Sequence, residues 1–121
     1  MREIEFRGKD IETGEWVFGD LHTLCDKPHI HTEKSKFPYA GKRSFVIPET
    51  IGQFTGLLDE NGKKIFEGDV IKCGKRLYVC EFIEGGFEFR DLSDSKLILK
   101  AIVNDSCIIG NIHDNPELIN K

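Results

Sequence analysis

Between Gly52 and Ile71 the chain reads Gly-Gln-Phe-Thr-Gly-Leu-Leu-Asp-Glu-Asn-Gly-Lys-Lys-Ile-Phe-Glu-Gly-Asp-Val-Ile. Breaks at Gly52, Gly56, Asn61-Gly62 and Gly68-Asp69 leave only short apolar or alternating runs between them. Runs of that kind are strand ends tied by tight turns. Asn61-Gly62 is the sharpest of these signals. Both residues tolerate positive φ, as a two-residue type I′ hairpin loop demands, so a reversal of that type is expected there.

The rest of the chain follows the same rhythm. Ile4 and Phe6 alternate with Glu5 and Arg7, Gly8-Lys9-Asp10 interrupts, and Glu12 to Glu15 reads as a turn. Trp16 and Phe18 then share one face of a second strand, so residues 1–20 form a β-hairpin with an aromatic side. Ser44 to Ile47 is a short apolar run ended by Pro48, and Glu49-Thr50 suits a helical turn or a direct entry into the strand around Ile51 to Thr55. Val70 to Cys73 follows, and Gly74-Lys75-Arg76 turns the chain into Leu77 to Ile83, where Tyr78, Cys80 and Phe82 share a face. Gly85-Gly86 reverses it again before Phe87 and Phe89. Residues 96–103 fit strand or helix, with strand preferred, and Cys107 to Ile112 is the last strand. Asn115-Pro116 opens a short turn or helix over residues 115–121. Strands every ten or so residues tied by glycine turns predict a mainly β domain with little helix, its core a small bent sheet or SH3-like barrel over residues 51–112. The amino-terminal hairpin is expected to pack on that core as part of one domain, residues 1–121.

Residues 22–44 differ in kind. His22, Cys25, His29, His31, two prolines and a basic cluster occur there with little apolar periodicity, which reads as a long loop. A loop of that length in a small domain is functional or partly disordered more often than not. The charge is unevenly spread as well. Net charge is −4, yet Lys27, Lys34, Lys36, Lys42 and Arg43 against Glu33 give the stretch from Lys27 to Pro48 a charge of +4 and leave −8 on the remainder. The acidic body disfavours unspecific adsorption to nucleic acid or anionic membrane. Within the basic stretch, Lys34, Lys36, Lys42 and Arg43 interleave with Phe37, Tyr39 and Phe45, as in surfaces that bind phosphates and stack unpaired bases. Its plainer reading is a solvated loop whose charge offsets an acidic body.

His22, Cys25, His29 and His31 include enough ligand types for zinc, but the spacing H-x2-C-x3-H-x-H matches no zinc module, so exposed imidazoles on a polar loop are expected and no metal. A Cys25–histidine nucleophile lacks a third orienting residue and an oxyanion donor. The four cysteines are scattered with no C-x-x-C, and Cys80 and Cys107 fall in strand patterns as small core residues. No glycine loop suited to phosphate occurs, and no cofactor is expected. The absence of an eighteen-residue apolar run and of a signal-peptide core predicts a cytoplasmic protein with no membrane span.

Taken together, Arg2 to Arg7, then Gly52-Gln53-Phe54-Thr55-Gly56-Leu57 with Asp59 and Gly62, then Ile65-Phe66-Glu67-Gly68-Asp69, and Gly110 to Leu118 resemble the YopX family. The matching pieces cover both ends and the middle, in order. Phe54 and Phe66 stand where that family often has tyrosine, so a role needing those hydroxyls does not carry over. The resemblance implies a phage or prophage origin, a mostly β fold and no assigned reaction, and it hands over no catalytic residues. Asp59, Glu67 and Asp69 read as turn residues.

These readings lead first to a non-catalytic binding or adaptor module acting on a host or phage protein, with sheet edges that a partner or a second copy of the chain can cover. The alternative is a single-stranded nucleic-acid binder using residues 27–48. An enzyme has no residue set behind it.

Overall fold

The structure, a computed structural model, describes residues 4–31, 43–93, 97–98 and 105–119. Among them the chain is mainly β, with two short 3₁₀ turns at Pro48–Thr50 and Pro116–Leu118. The strands form two antiparallel sheets rather than the one core sheet expected over residues 51–112, and neither closes into a barrel. The chain divides into two compact units, Met1–Phe54 and Thr55–Lys121.

The first unit contains β1 (Phe6–Lys9), β2 (Trp16–Leu24), β3 (Lys27–His31), β4 (Arg43–Phe45) and the start of β5 (Gly52–Leu58), in the order β4-β3-β2-β1-β5. The β1–β2 loop is fixed by Asp10, whose Oδ1 accepts the N–H groups of Glu12 and Thr13. The sheet bends so that the chain just past β4 returns to β1. Asp10 bridges Val46, the Ile47 N–H donates to the Lys9 carbonyl, and the Ile11 N–H donates to that of Phe45. Val46 and Ile30 are fully buried inside the bend. Gly8 makes this possible, because a Cβ there would lie 2.9 Å from Cβ of Val46. The Thr50 hydroxyl donates to the Ile47 carbonyl and accepts from the Lys9 N–H, tying the first 3₁₀ turn to β1.

The stretch expected as loop from His22 onward is in fact the β2–β3 hairpin as far as His31. Its turn is Cys25-Asp26, both with positive φ (52° and 63°), the type I′ geometry that matches strand twist. Neither residue is glycine, and Cys25-Asp26 carries no sequence signature of such a turn. Pairing along both strands therefore overrides local propensity. Residues 32–42 of the same stretch lie outside the described residues.

In the second unit the end of β5 pairs with β6 (Lys64–Phe66). A five-stranded sheet follows, ordered β10-β9-β8-β7-β11, from β7 (Asp69–Cys73), β8 (Arg76–Ile83), β9 (Gly86–Asp91), β10 (Leu97–Ile98) and β11 (Cys107–Asn111). The strand reading holds for Leu97 and Ile98, while residues 99–103 lie outside the description. Ile65, Ile71, Tyr78, Cys80, Phe87 and Phe89 form the core, with Leu57, Cys73 and Ile108 packed against it. Phe82 shares the face of Tyr78 and Cys80 as expected, opposite Phe87 in the register. It is 51% exposed near the strand end and meets Phe87 edge-on, with ring centres 5.1 Å apart.

The reversal at Asn61-Gly62 is real, but its type is not the one expected. Only Gly62 takes the left-handed conformation (φ 77°), and the hairpin closes between Asp59 and Lys63, whose backbone groups are 2.9 Å apart. A three-residue loop with glycine in the last position is the alternative solution to the same reversal. Asp59 selects it: its Oδ1 accepts from the N–H groups of both Asn61 and Lys63, which a two-residue loop would not present together.

Candidate functional site

Residues opposed across antiparallel strands share a face. Register therefore aligns Asp20, His31 and Arg43 in one row over β2, β3 and β4, and His22, His29 and Phe45 in the next. Leu24 and Lys27 close the array at the turn, while Phe18 with Arg7 and Trp16 with Lys9 extend it over β1 and β2. The opposite face carries Ile30 and Ser44, which are buried; on the first face Phe18, His22, Lys27, Arg43 and Phe45 are exposed, while Arg7 and His29 are buried.

The three imidazoles touch. Ring centres lie 4.4 Å apart for His22 and His31, 5.0 Å for His29 and His31, and 5.7 Å for the stacked pair His22 and His29. The Nε2 atoms of His29 and His31 are 3.1 Å apart, so one ring donates and the other accepts. Phe45 covers His29 from β4 at 5.4 Å. His29 is 4% exposed, whereas His22 is open to solvent. Burial lowers the His29 pKa, and the neighbouring charges of His31, Arg43 and His22 push it the same way, against a smaller opposing effect from the Lys27 backbone. On the adjoining part of the face, the Arg7 guanidinium sits 4.5 Å and the Lys9 ammonium 5.5 Å from the centre of the Trp16 ring, within cation–π range.

Of the residues proposed from sequence for nucleic acid, Arg43 is in this array, exposed at the start of β4 opposite His31. Lys34, Lys36, Phe37, Tyr39 and Lys42 lie outside the described residues. Cys25 is not part of the imidazole cluster: it occupies the turn three residues beyond His22, about 10 Å along the strand. The expectation of exposed imidazoles on a polar loop is corrected: the three stand on paired strands and His29 is buried. Sequence reading also missed Arg7, Lys9, Trp16 and Phe18 as members of the same face. Once a two-residue turn at Cys25-Asp26 is given, counting alone places His22 opposite His29, but the sequence carries no signal of that turn.

Two acids of the glycine-rich stretch, Asp59 and Asp69, are committed to backbone. Asp59 is buried. Burial opposes its charge, but the N–H groups of Ile108, Lys63 and Asn61, helped by the Lys63 ammonium, prevail and hold its pKa below the usual value. Its Oδ2 thereby fastens the β5–β6 turn to β11, beside a bond from the Glu60 N–H to the Ser106 carbonyl. Asp69 accepts the Phe66 N–H at 2.8 Å. Asp91 is brought down to about 2 by the hydroxyl and N–H of Ser93, then by Arg76 at 2.7 Å. A pocket of about 160 Å³ in the second unit is lined by Leu77, Leu92, Ser93, Leu118 and Ile119. The Ser93 hydroxyl there is already bonded to Asp91.

A family model described as "YopX protein" matches residues 5–120. The crystal structure of protein EF1440 from Enterococcus faecalis is similar with a TM-score of 0.64 and 25% identity, covering 99% of this chain and 100% of that one. No curated protein matches the chain. Among the described residues, no helix is long and apolar enough to cross a membrane.

Proposed function

The chain belongs to the YopX family, and from that premise we propose that it is a non-catalytic binding or adaptor module of a phage or prophage, acting on a host or phage protein. One observation carries the reading. One face of the first unit sets Trp16, Phe18, Phe45 and three imidazoles among Lys9, Lys27 and Arg43 over four adjacent strands, with Arg7 and His29 buried in it. Aromatic and arginine side chains on a rigid sheet are the usual anchors of protein contacts. Phe18 and Phe45 are substantially exposed, so they offer apolar area, and the cations select a partner whose contact surface is acidic.

The same array supports a second reading, single-stranded nucleic acid, because rings that stack bases and cations that meet phosphates are its two requirements. Salt separates the two. Four phosphate contacts on a single strand imply a loss of roughly fiftyfold in affinity between 50 and 200 mM salt, whereas an apolar-anchored protein contact loses far less. The experiment compares wild-type chain with the triple variant Phe18→Ser, Arg43→Glu, Phe45→Ser, matched by circular dichroism. Retention of a defined phage or host protein by the wild type, lost in the variant, supports the adaptor reading. Steeply salt-dependent oligonucleotide binding lost in the same variant puts nucleic acid first, and equal binding by both proteins rejects this face.

A further inference from the structure

We propose that His22, His29 and His31 form a binding site for a divalent transition metal of the zinc class. The site goes beyond the partner-binding reading and does not depend on it. Two of its ligands are adjacent: the Nε2 atoms of His29 and His31 lie 3.1 Å apart, hydrogen-bonded to each other. Two nitrogens bound tetrahedrally to zinc at 2.0–2.1 Å stand about 3.3 Å apart, so the spacing suits a shared cation once the donating ring carries its proton on Nδ1 and both rings turn their Nε2 lone pairs to the metal. Strand geometry accounts for the pair, since residues two apart on β3 project side by side.

The third ligand comes from the neighbouring strand. Among the described residues no three of His, Cys, Asp or Glu converge at metal-bonding distance as they stand. His22 is opposite His29 in the register, its ring centre 4.4 Å from that of His31. It is exposed, so rotation about its own side-chain bonds swings a nitrogen toward the pair without moving backbone. Three imidazoles suit zinc, nickel and copper, whereas calcium and magnesium require oxygen. A set of three histidines leaves the fourth position to water, as in open zinc sites. Arg43 opposite His31 lowers the affinity by charge, and exposed Asp20 on the other side of His31 offsets it.

The test uses the full chain without a polyhistidine tag, stripped with chelator and titrated with Zn²⁺ alone, with Co²⁺ as a spectroscopic probe. One metal per chain is expected, with a visible Co²⁺ band of tetrahedral type and a raised unfolding temperature. His22→Ala and His31→Asn should each weaken binding at least tenfold. His29 is buried and its replacement could prevent folding, so the exposed His22 serves as the decisive variant. Cys25→Ser should leave affinity unchanged. Absence of stoichiometric binding, unweakened binding in His22→Ala, or loss of binding in Cys25→Ser would each overturn the three-histidine site.

Discussion

Asp59 shows how a single carboxylate can determine a turn. It accepts from the N–H groups of Asn61, Lys63 and Ile108, and at 5% exposure it has little water to replace them. Asp59→Ala leaves three backbone donors without that acceptor and is expected to cost about 3 kcal/mol. Asp59→Asn is not conservative. Its amide oxygen can serve Asn61 and Lys63, but its NH₂ then faces the Ile108 N–H, donor against donor. Chemical denaturation of the two variants checks both, and a loss under about 1 kcal/mol for Asp59→Ala would contradict this account. Asp91 yields a pH prediction. Its folded pKa, about 2, lies below the ordinary carboxylate value near 4, so the unfolded chain binds its proton first on acidification. The stability it contributes is complete above about pH 4 and disappears as pH falls toward 2. Asp59 is depressed in the same direction and adds to the loss. The unfolding temperature should therefore fall across that window, and Asp91→Asn should flatten part of the slope.

At the scale of elements, the β2–β3 hairpin carries the histidine cluster on a turn that its residues do not favour. Left-handed backbone at non-glycine residues costs of order 1 kcal/mol each, less for Asp26 than for Cys25 because a short polar side chain can bond locally. Replacing Cys25-Asp26 by Asn-Gly keeps the type I′ geometry and should raise stability by about 1 kcal/mol, measured by thermal unfolding. A neutral or negative result would mean that Cys25 or Asp26 makes a contact worth as much as the strain. Gly19 marks the other constraint on this hairpin. A Cβ there would land on the His31 carbonyl oxygen, so Gly19→Ala should cost at least about 2 kcal/mol and disturb the register that pairs Asp20 with His31. β11 is managed differently. Its register slips between Ile108 and Gly110, a bulge at the edge of its sheet. Bulges at edges discourage pairing with another chain.

For the whole molecule the two units have separate burial patterns, Ile30 and Val46 in one and the cluster around Phe89 in the other. Phe89→Ala should cost about 3–5 kcal/mol, because the ring is fully buried. Phe82→Ala, half exposed, should cost under about 1 kcal/mol, and a denaturation series would reverse the assignment of core and surface if the order were inverted. What the amino-acid sequence determined by itself is what short-range chemistry controls: β class, strand positions from Ile65 to Phe89, the reversals at Asn61-Gly62, Gly68, Gly74 and Gly85, and the family through its turn residues, whereas the breaks read at Gly8, Gly52 and Gly56 fall inside strands. Alternation and positive-φ glycines act within a few residues of each other, so they are legible without a fold. The type of turn at Asn61-Gly62 follows from Asp59, whose Oδ1 takes the N–H groups of Asn61 and Lys63, and the tertiary structure adds the bond from Ile108, forty-nine residues away, to its other oxygen. Tertiary structure alone turned His22 to His31 from apparent loop into hairpin. No local signal favours Cys25-Asp26 as a type I′ turn, and only the pairing of β2 with β3, and of β3 with β4, brings three imidazoles, Phe45 and Arg43 onto one face.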